Sequence, residues 1–294
     1  MPGLYRANCA LLFLVCLAAV GCTERMTLPG FDAGTFESDA GADAGVRPDT
    51  GPIPDSGPRL DNVLIYAHSR ETLYTFSPYT NTVDEIGPFM LPGETEPTSV
   101  IDLAVNADGD VYVSGYDALY RVDPETAALT HVGDFDVDES FFALTFLGEG
   151  VIRPVETLIG ATNEGVYYEI DPTDASTQRL GQYPDGWISS GDIVSVGGRA
   201  FATLKDPDNL DAPDVLAEIT FTASGSSTVR ELGSTFFRQL FGLGSWGDSL
   251  YGFSNSGELV RLDPDTGRGT IVSITTGIDS YWGAGVTTTA PILF

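Results

Sequence analysis

The chain has 294 residues, 42 of them acidic and 14 basic, for a net charge of −28 at neutral pH. A surface of that sign repels phosphate backbones and anionic lipid surfaces, which argues against nucleic acid as a partner. Lys205 is the single lysine, so no polybasic patch exists; divalent or organic cations are the electrostatically plausible partners, and solubility is the blander reading of the charge.

The chain begins with an apolar run, Leu11 to Gly21, preceded by one charge, Arg6, and followed by Cys22. The run is about half the ~20 residues a spanning helix needs, which suits a signal peptide. The segment Ala19-Val20-Gly21-Cys22 resembles the lipobox of bacterial lipoproteins, with Ala19 where that family usually has Leu. The resemblance implies cleavage after residue 21 and lipid attachment, palmitate included, at Cys22. The other cysteines, Cys9 and Cys16, leave with the leader. The mature chain then carries one cysteine, at its first position, with nothing to pair with. It also carries 13 basic and 42 acidic residues, a net −29. Thr23 follows the anchor, and by the same resemblance this leans towards the outer membrane of the cell envelope.

Residues 22–60 read as a disordered tether. Asp-small-Gly triplets recur at Asp32, Asp39, Asp43, Asp49 and Asp55, interspersed with Pro48, Pro52, Pro54 and Pro58. Too few large apolar residues are present to offset the entropy of ordering. Such a chain spans roughly 35 Å on average and at most ~130 Å.

From residue 61 to 294, short β-branched and aromatic runs alternate with Gly, Asp and Pro turns, an all-β pattern. One unit repeats. Its middle strand appears at Leu64–Ala67, Val111–Ser114, Leu158–Ala161, Ala200–Thr203 and Leu250–Phe253. A second strand follows each, as in Leu119–Val122, then a turn opened by Ser77-Pro78, Asp123-Pro124, Asp171-Pro172 or Asp263-Pro264. Asp or Ser accepting a backbone hydrogen bond, with Pro next, suits a type I turn. The fourth copy has Thr222-Ala223-Ser224-Gly225 there instead, and a third strand such as Leu129–Gly133 closes each unit. A further strand precedes the middle one at Ile101–Val105, Phe142–Phe146, Gly191–Ser195 and Phe241–Ser245. The first unit lacks it, and a surplus strand, Trp282–Val286, lies at the C-terminus. Four-stranded units about 41 to 51 residues apart fit β-propeller blades, closed by the last strand of the chain. Five units are countable, so the expected fold is a five-bladed propeller, with six blades as the alternative.

The phrase Asp102-Leu103-Ala104-Val105-Asn106-Ala107-Asp108-Gly109-Asp110-Val111-Tyr112-Val113 resembles the propellers of the NHL-repeat, gluconolactonase and quinoprotein-like class, over residues 61–294. Such repeats serve many unrelated functions, so the resemblance implies fold rather than activity.

Aligned first strands place Asp102, Ala143, Asp192, Gly242 and Gly283 in one ring at the channel. Just upstream lie Phe141-Phe142, Trp187, Phe236-Phe237 and Tyr281-Trp282, an expected aromatic collar. Asp102 and Asp192 with Phe142, Trp187, Tyr281 and Trp282 are therefore the candidate ligand site, for a glycan or a cation. The bland alternative is rings wedged between blades and carboxylates capping backbone amides. The insertion Lys205–Asp214 carries Asp206, Asp208 and Asp211, oxygen ligands at a spacing that could take calcium, although it lacks the glycine and terminal glutamate of an EF-hand loop. No other cofactor is implied. His68, expected at a loop on the aromatic face, and His131, on an outer strand, cannot form a zinc cluster, and no cysteine nucleophile is present. The expectation is a surface-tethered module, not an enzyme, that binds a ligand or an envelope protein. The runner-up is a calcium-assisted sugar or lactone hydrolase using Asp102 and Asp192, and a third reading is a scaffold of an envelope assembly.

Overall fold

A computed structural model of the protein describes residues 63–273 and 276–292. The leader, Cys22 and the tether lie outside the described residues. No helix among those described is long and apolar enough to cross a membrane.

The strands run β1 (Ile65–His68), β2 (Thr72–Ser77), β3 (Thr82–Pro88), β4 (Asp102–Val105), β5 (Val111–Ser114), β6 (Ala118–Val122), β7 (Leu129–Asp134), β8 (Ala143–Leu147), β9 (Thr157–Ala161) and β10 (Val166–Ile170). They continue with β11 (Thr177–Gln182), β12 (Ile188–Val196), β13 (Arg199–Lys205), β14 (Val215–Phe221), β15 (Ser227–Ser234), β16 (Leu240–Trp246), β17 (Ser249–Ser254), β18 (Leu259–Leu262), β19 (Gly269–Ser273) and β20 (Gly283–Gly285). They form five antiparallel four-stranded sheets. Four sheets use consecutive strands. The fifth has the order β20-β1-β2-β3, so the end of the chain supplies the innermost strand of the first blade. The fold is therefore a five-bladed propeller rather than a six-bladed one. Its inner strands pack in a ring: β20 on β4, β4 on β8, β8 on β12, β12 on β16, and β16 on β20.

The apolar cores lie between neighbouring blades. Phe141 sits against Phe135 and Tyr168 at 4.8 and 5.4 Å between ring centroids, and Phe253 against Phe76 and Tyr281 at 6.1 and 5.3 Å, all edge-on. The Asp-Pro turns fold as the sequence indicates. Asp123 Oδ1 accepts the N–H groups of Glu125 and Thr126 at 2.9 and 3.1 Å, and Asp263 repeats this with Asp265 and Thr266 at 2.8 and 3.1 Å.

Each outer strand carries a one-residue register shift at the same place, opposite Leu73/Tyr74, Leu119/Tyr120, Tyr167/Tyr168, Leu216/Ala217 and Leu259/Val260. Such bulges increase twist, and here the outer strands of the first, second and fourth blades come close to the Asp-Pro turn of the next blade, and that of the third to the turn at Gly225. At Gly133 the approach is so close that a Cβ would lie 2.2 Å from the Asp174 carbonyl oxygen.

Beyond β20 the chain crosses the far end of the ring. Thr287 pairs with Val105 of the second blade, Thr288 bonds Glu156 of the third, and the Pro291 carbonyl accepts the Gly247 N–H of the fifth at 2.9 Å. A chain ending at Ser280 would lose both this crossing and the innermost strand of the first blade, leaving the edge of β1 unpaired. It should aggregate or lose its cooperative thermal transition in a melting scan with size-exclusion chromatography. An unchanged transition would show that closure is dispensable.

Candidate functional site

At the start of every inner strand a tripeptide performs three tasks in sequence: Val100-Ile101-Asp102, Phe141-Phe142-Ala143, Ser190-Gly191-Asp192, Leu240-Phe241-Gly242 and Tyr281-Trp282-Gly283. The first residue is buried, the second lines a cavity at the mouth of the ring, and the third reaches the axis. Alternation of side chains along an extended strand separates adjacent residues in this way.

The axis holds Asp102 and Asp192, both fully buried. Asp102 accepts its own neighbour's amide, Leu103 N–H, on Oδ1 at 2.8 Å, and Leu144 N–H of the third blade on Oδ2 at 2.6 Å. Asp192 accepts Ile193 N–H on Oδ1 and Leu243 N–H of the fifth blade on Oδ2, each at 2.6 Å. It also accepts Ala284 N–H of the first blade. The amide one residue past the axial position in all five blades thus ends on one of two carboxyl groups. The two groups hydrogen-bond each other, which requires a proton between them. Burial pushes both above the ordinary carboxylate range, and the Asp192 charge raises Asp102 further, so the proton belongs to the pair.

Of the two readings open for these acids, groups facing a ligand in the channel or caps on backbone amides, their hydrogen bonds match the second. The space is filled to contact. A Cβ at Gly283 would lie 2.0 Å from Asp102 Oδ1 and 2.5 Å from His68 Nε2. His68, expected at a loop, is the fully buried last residue of β1. Its Nδ1–H donates to the Ser69 carbonyl at 2.7 Å, and burial lowers its pKa to about 4, so the ring is neutral. His131 lies on outer strand β7 and pairs with Asp134 at 2.8 Å.

Above this plug opens a cavity of about 350 Å³. Its inner ring is Ile101, Phe142, Gly191, Phe241 and Trp282. Tyr116, Asn163 and Asn255, from the hairpins β5–β6, β9–β10 and β17–β18, form an outer ring, with Ser189 and Ser190 between. Phe142 and Trp282 line this cavity. Tyr281 does not: it is fully buried between Phe253 and Tyr74. Trp187 is half-buried after a single 3-10 turn at Pro184–Gly186, packed on the core of the third and fourth blades and not lining the mouth. Phe236 is exposed, with the Arg268 guanidinium 5.7 Å from its ring.

The insertion is organised around Lys205. Its ammonium lies 2.9 Å from Asp214 Oδ1 and donates to the Leu210 carbonyl at 3.3 Å. Asp214 is buried and accepts Leu240 N–H on Oδ2 at 2.7 Å, joining the fourth blade to the fifth. Asp206, Asp208 and Asp211 are exposed, and Asp206 Oδ1 accepts Asp208 N–H at 2.9 Å. The structure does not bring them together as a ligand set: no three His, Cys, Asp or Glu among the described residues converge to hold a metal. The Asn106–Asp110 segment is a hairpin turn in which Asn106 Oδ1 accepts Asp110 N–H at 2.7 Å.

No protein-family model matches the chain, and no curated protein matches it in sequence. Among solved structures it is similar to BamB from Moraxella catarrhalis, at 16% identity over 69% of this chain and 70% of that one, with a TM-score of 0.33. It is also similar to U3-55K, at 11% identity over 71% of this chain and 60% of that one, with a TM-score of 0.39. Likeness at this level concerns fold alone. The class the geometry defines is a β-propeller with a plugged axis and an aromatic mouth.

The axial pair makes an asymmetric prediction. In Asp102→Asn the amide still donates to Asp192, and one backbone acceptor is lost, at a cost of about 1–3 kcal/mol. Asp192→Asn alters the carboxyl group that three amides converge on, and should destabilise considerably more. Because the folded pKa values are raised, the folded state holds a proton that the unfolded chain releases, so the pair's contribution to stability falls as pH rises above the ordinary Asp value. The melting temperature of Asp102→Asn relative to wild type should therefore improve from about pH 4 to about pH 8. A flat difference, or equal damage from both variants, would refute the shared proton.

Proposed function

We propose that the protein is an exported propeller, tethered to the cell envelope through lipid on Cys22, that binds a ligand at its aromatic mouth without catalysing a reaction. One observation carries the mouth assignment. The equivalent position of all five blades converges on one cavity, and four blades contribute rings: Trp282, Tyr116, Phe142 and Phe241. Pockets of this size with apolar walls and a few polar groups are the usual form of a small-ligand site. Variable loops on a rigid scaffold surround it, whereas the Asp-Pro turns at the other end are short and repetitive.

The hydrolase reading is disfavoured by the axis. A general acid or nucleophile must reach substrate, and Asp102 and Asp192 are buried with their oxygens committed to backbone amides. The tether rests on the resemblance around Cys22 and on the cysteine count.

Two experiments test this reading. Cys22→Ala should release the protein from the membrane fraction or leave it unprocessed, and wild-type fractionation of the variant would remove the anchor. A thermal-shift panel of neutral saccharides, organic cations and short peptides should yield a ligand whose affinity falls at least about tenfold, 1.4 kcal/mol, in Phe142→Ala and Trp282→Ala. Asp123→Ala, in a turn at the far end, should leave it unchanged. The opposite pattern would move the site off the mouth.

A further inference from the structure

The mouth's walls are rings, and its polar groups, Asn163, Asn255, Ser189 and Ser190, carry no charge. Acidic groups lie around and beneath. In four of the five hairpins at this end an acid directly follows the outer-ring position: Glu71 after Arg70, Asp117 after Tyr116, Glu164 after Asn163, and Asp206 after Lys205. Asp117, Glu164 and Asp206 are exposed. Below the floor, one residue deeper than Ile101 and Gly191, lie the buried axial carboxyl groups of Asp102 and Asp192.

Three basic side chains share this end of the molecule with the rim acids, and one of them, Arg238, is exposed beside Gln239, whose carbonyl accepts the Asn255 N–H at 2.9 Å. Lys205 is held by Asp214. Arg70 donates from Nε to Ser99 Oγ at 3.0 Å and places its guanidinium 5.6 Å from the centroid of Trp282. Other guanidinium groups are engaged elsewhere, Arg153 with Glu169, and Arg199 and Arg230 with Glu218.

We propose that the mouth is a cage for an organic cation, a quaternary or alkylated ammonium head group set among Tyr116, Phe142, Phe241 and Trp282 inside an acidic rim; this rests on the reading of the mouth as the ligand site. Ring faces carry the negative part of the aromatic quadrupole and attract such a group, most strongly when water is excluded. A quaternary ammonium has no N–H to satisfy, so contact with the four rings imposes on it none of the desolvation penalty that a primary amine or a polyol would meet there. The overall charge of −28 draws cations towards the molecule, and the rim acids focus that attraction at this end. Arg70 on Trp282 shows that this indole takes a cation, and it competes with the ligand for the ring.

The test uses the full-length mature protein with choline as probe and 3,3-dimethylbutan-1-ol, its uncharged isostere, as control. Binding is followed by calorimetry and by tryptophan fluorescence. Choline should bind at least about tenfold more tightly than the isostere, and added salt should weaken it through screening of the rim. Tyr116→Ala and Trp282→Leu should each weaken it at least about tenfold. Arg70→Ala should strengthen it, a gain that disturbance of the fold would not produce. Equal affinity for choline and the isostere would overturn the cation and leave an apolar mouth intact. Absence of choline binding, with a saccharide or peptide bound in a Trp282-dependent manner, would also overturn the cation and keep the mouth. Choline binding indifferent to Tyr116, Trp282 and Arg70 would overturn both.

Discussion

Five strands converging on one axis bring five backbone N–H groups to a place where neither water nor a neighbouring strand's carbonyl can serve them. An unsatisfied buried amide costs a substantial part of a domain's net stability, so the centre of this ring needs acceptors before it can be dry. Asp102 and Asp192 provide them. Leu103, Leu144, Ile193, Leu243 and Ala284 all donate to this pair. The small residues at the other three axial positions, Ala143, Gly242 and Gly283, leave room for the two carboxyl groups. The shared proton lets two acids sit side by side without both being charged. The depth of the mouth follows from this plug, because the cavity ends where the carboxyl pair begins.

The same logic recurs nearer the rim. Asp214, buried and held by the chain's only lysine, accepts Leu240 N–H across the joint between the fourth and fifth blades. Carboxylates here act as connectors between blades. The ion pair is also a dependency, since removing an ammonium from a buried carboxylate leaves an uncompensated charge.

Much of the fold was legible in the chain. Strand order, the Asp-Pro turns and closure by the last strand follow from repeats whose local chemistry agrees with the final structure. The bulges were not legible, because a one-residue shift leaves each strand's composition unchanged and shows only in pairing. The axial ring was legible as an alignment but not as a chemistry: a carboxylate beside a channel and one capping amides have the same sequence. The collar was half legible. Phe141-Phe142 and Tyr281-Trp282 look like paired aromatics, yet strand alternation sends Phe141 and Tyr281 into the core and only Phe142 and Trp282 to the mouth. That rule, applied to Val100-Ile101 and Leu240-Phe241, would have found Ile101 and Phe241. Asn163 and Asn255 needed the hairpins aligned as well as the strands. The calcium expectation at Asp206, Asp208 and Asp211 failed to anticipate that Lys205, at the start of the same loop, would organise it.

The pairing of β20 with β1 joins residues at opposite ends of the domain. Contacts so distant in sequence are entropically the last to be rewarded. Blades two to five can each assemble from contiguous chain as it is made, but the first has no innermost strand until Gly283–Gly285 exists. A chain emerging from N- to C-terminus therefore remains an open arc, with strand edges exposed at both ends, until Gly283–Gly285 has been made and can pair with β1.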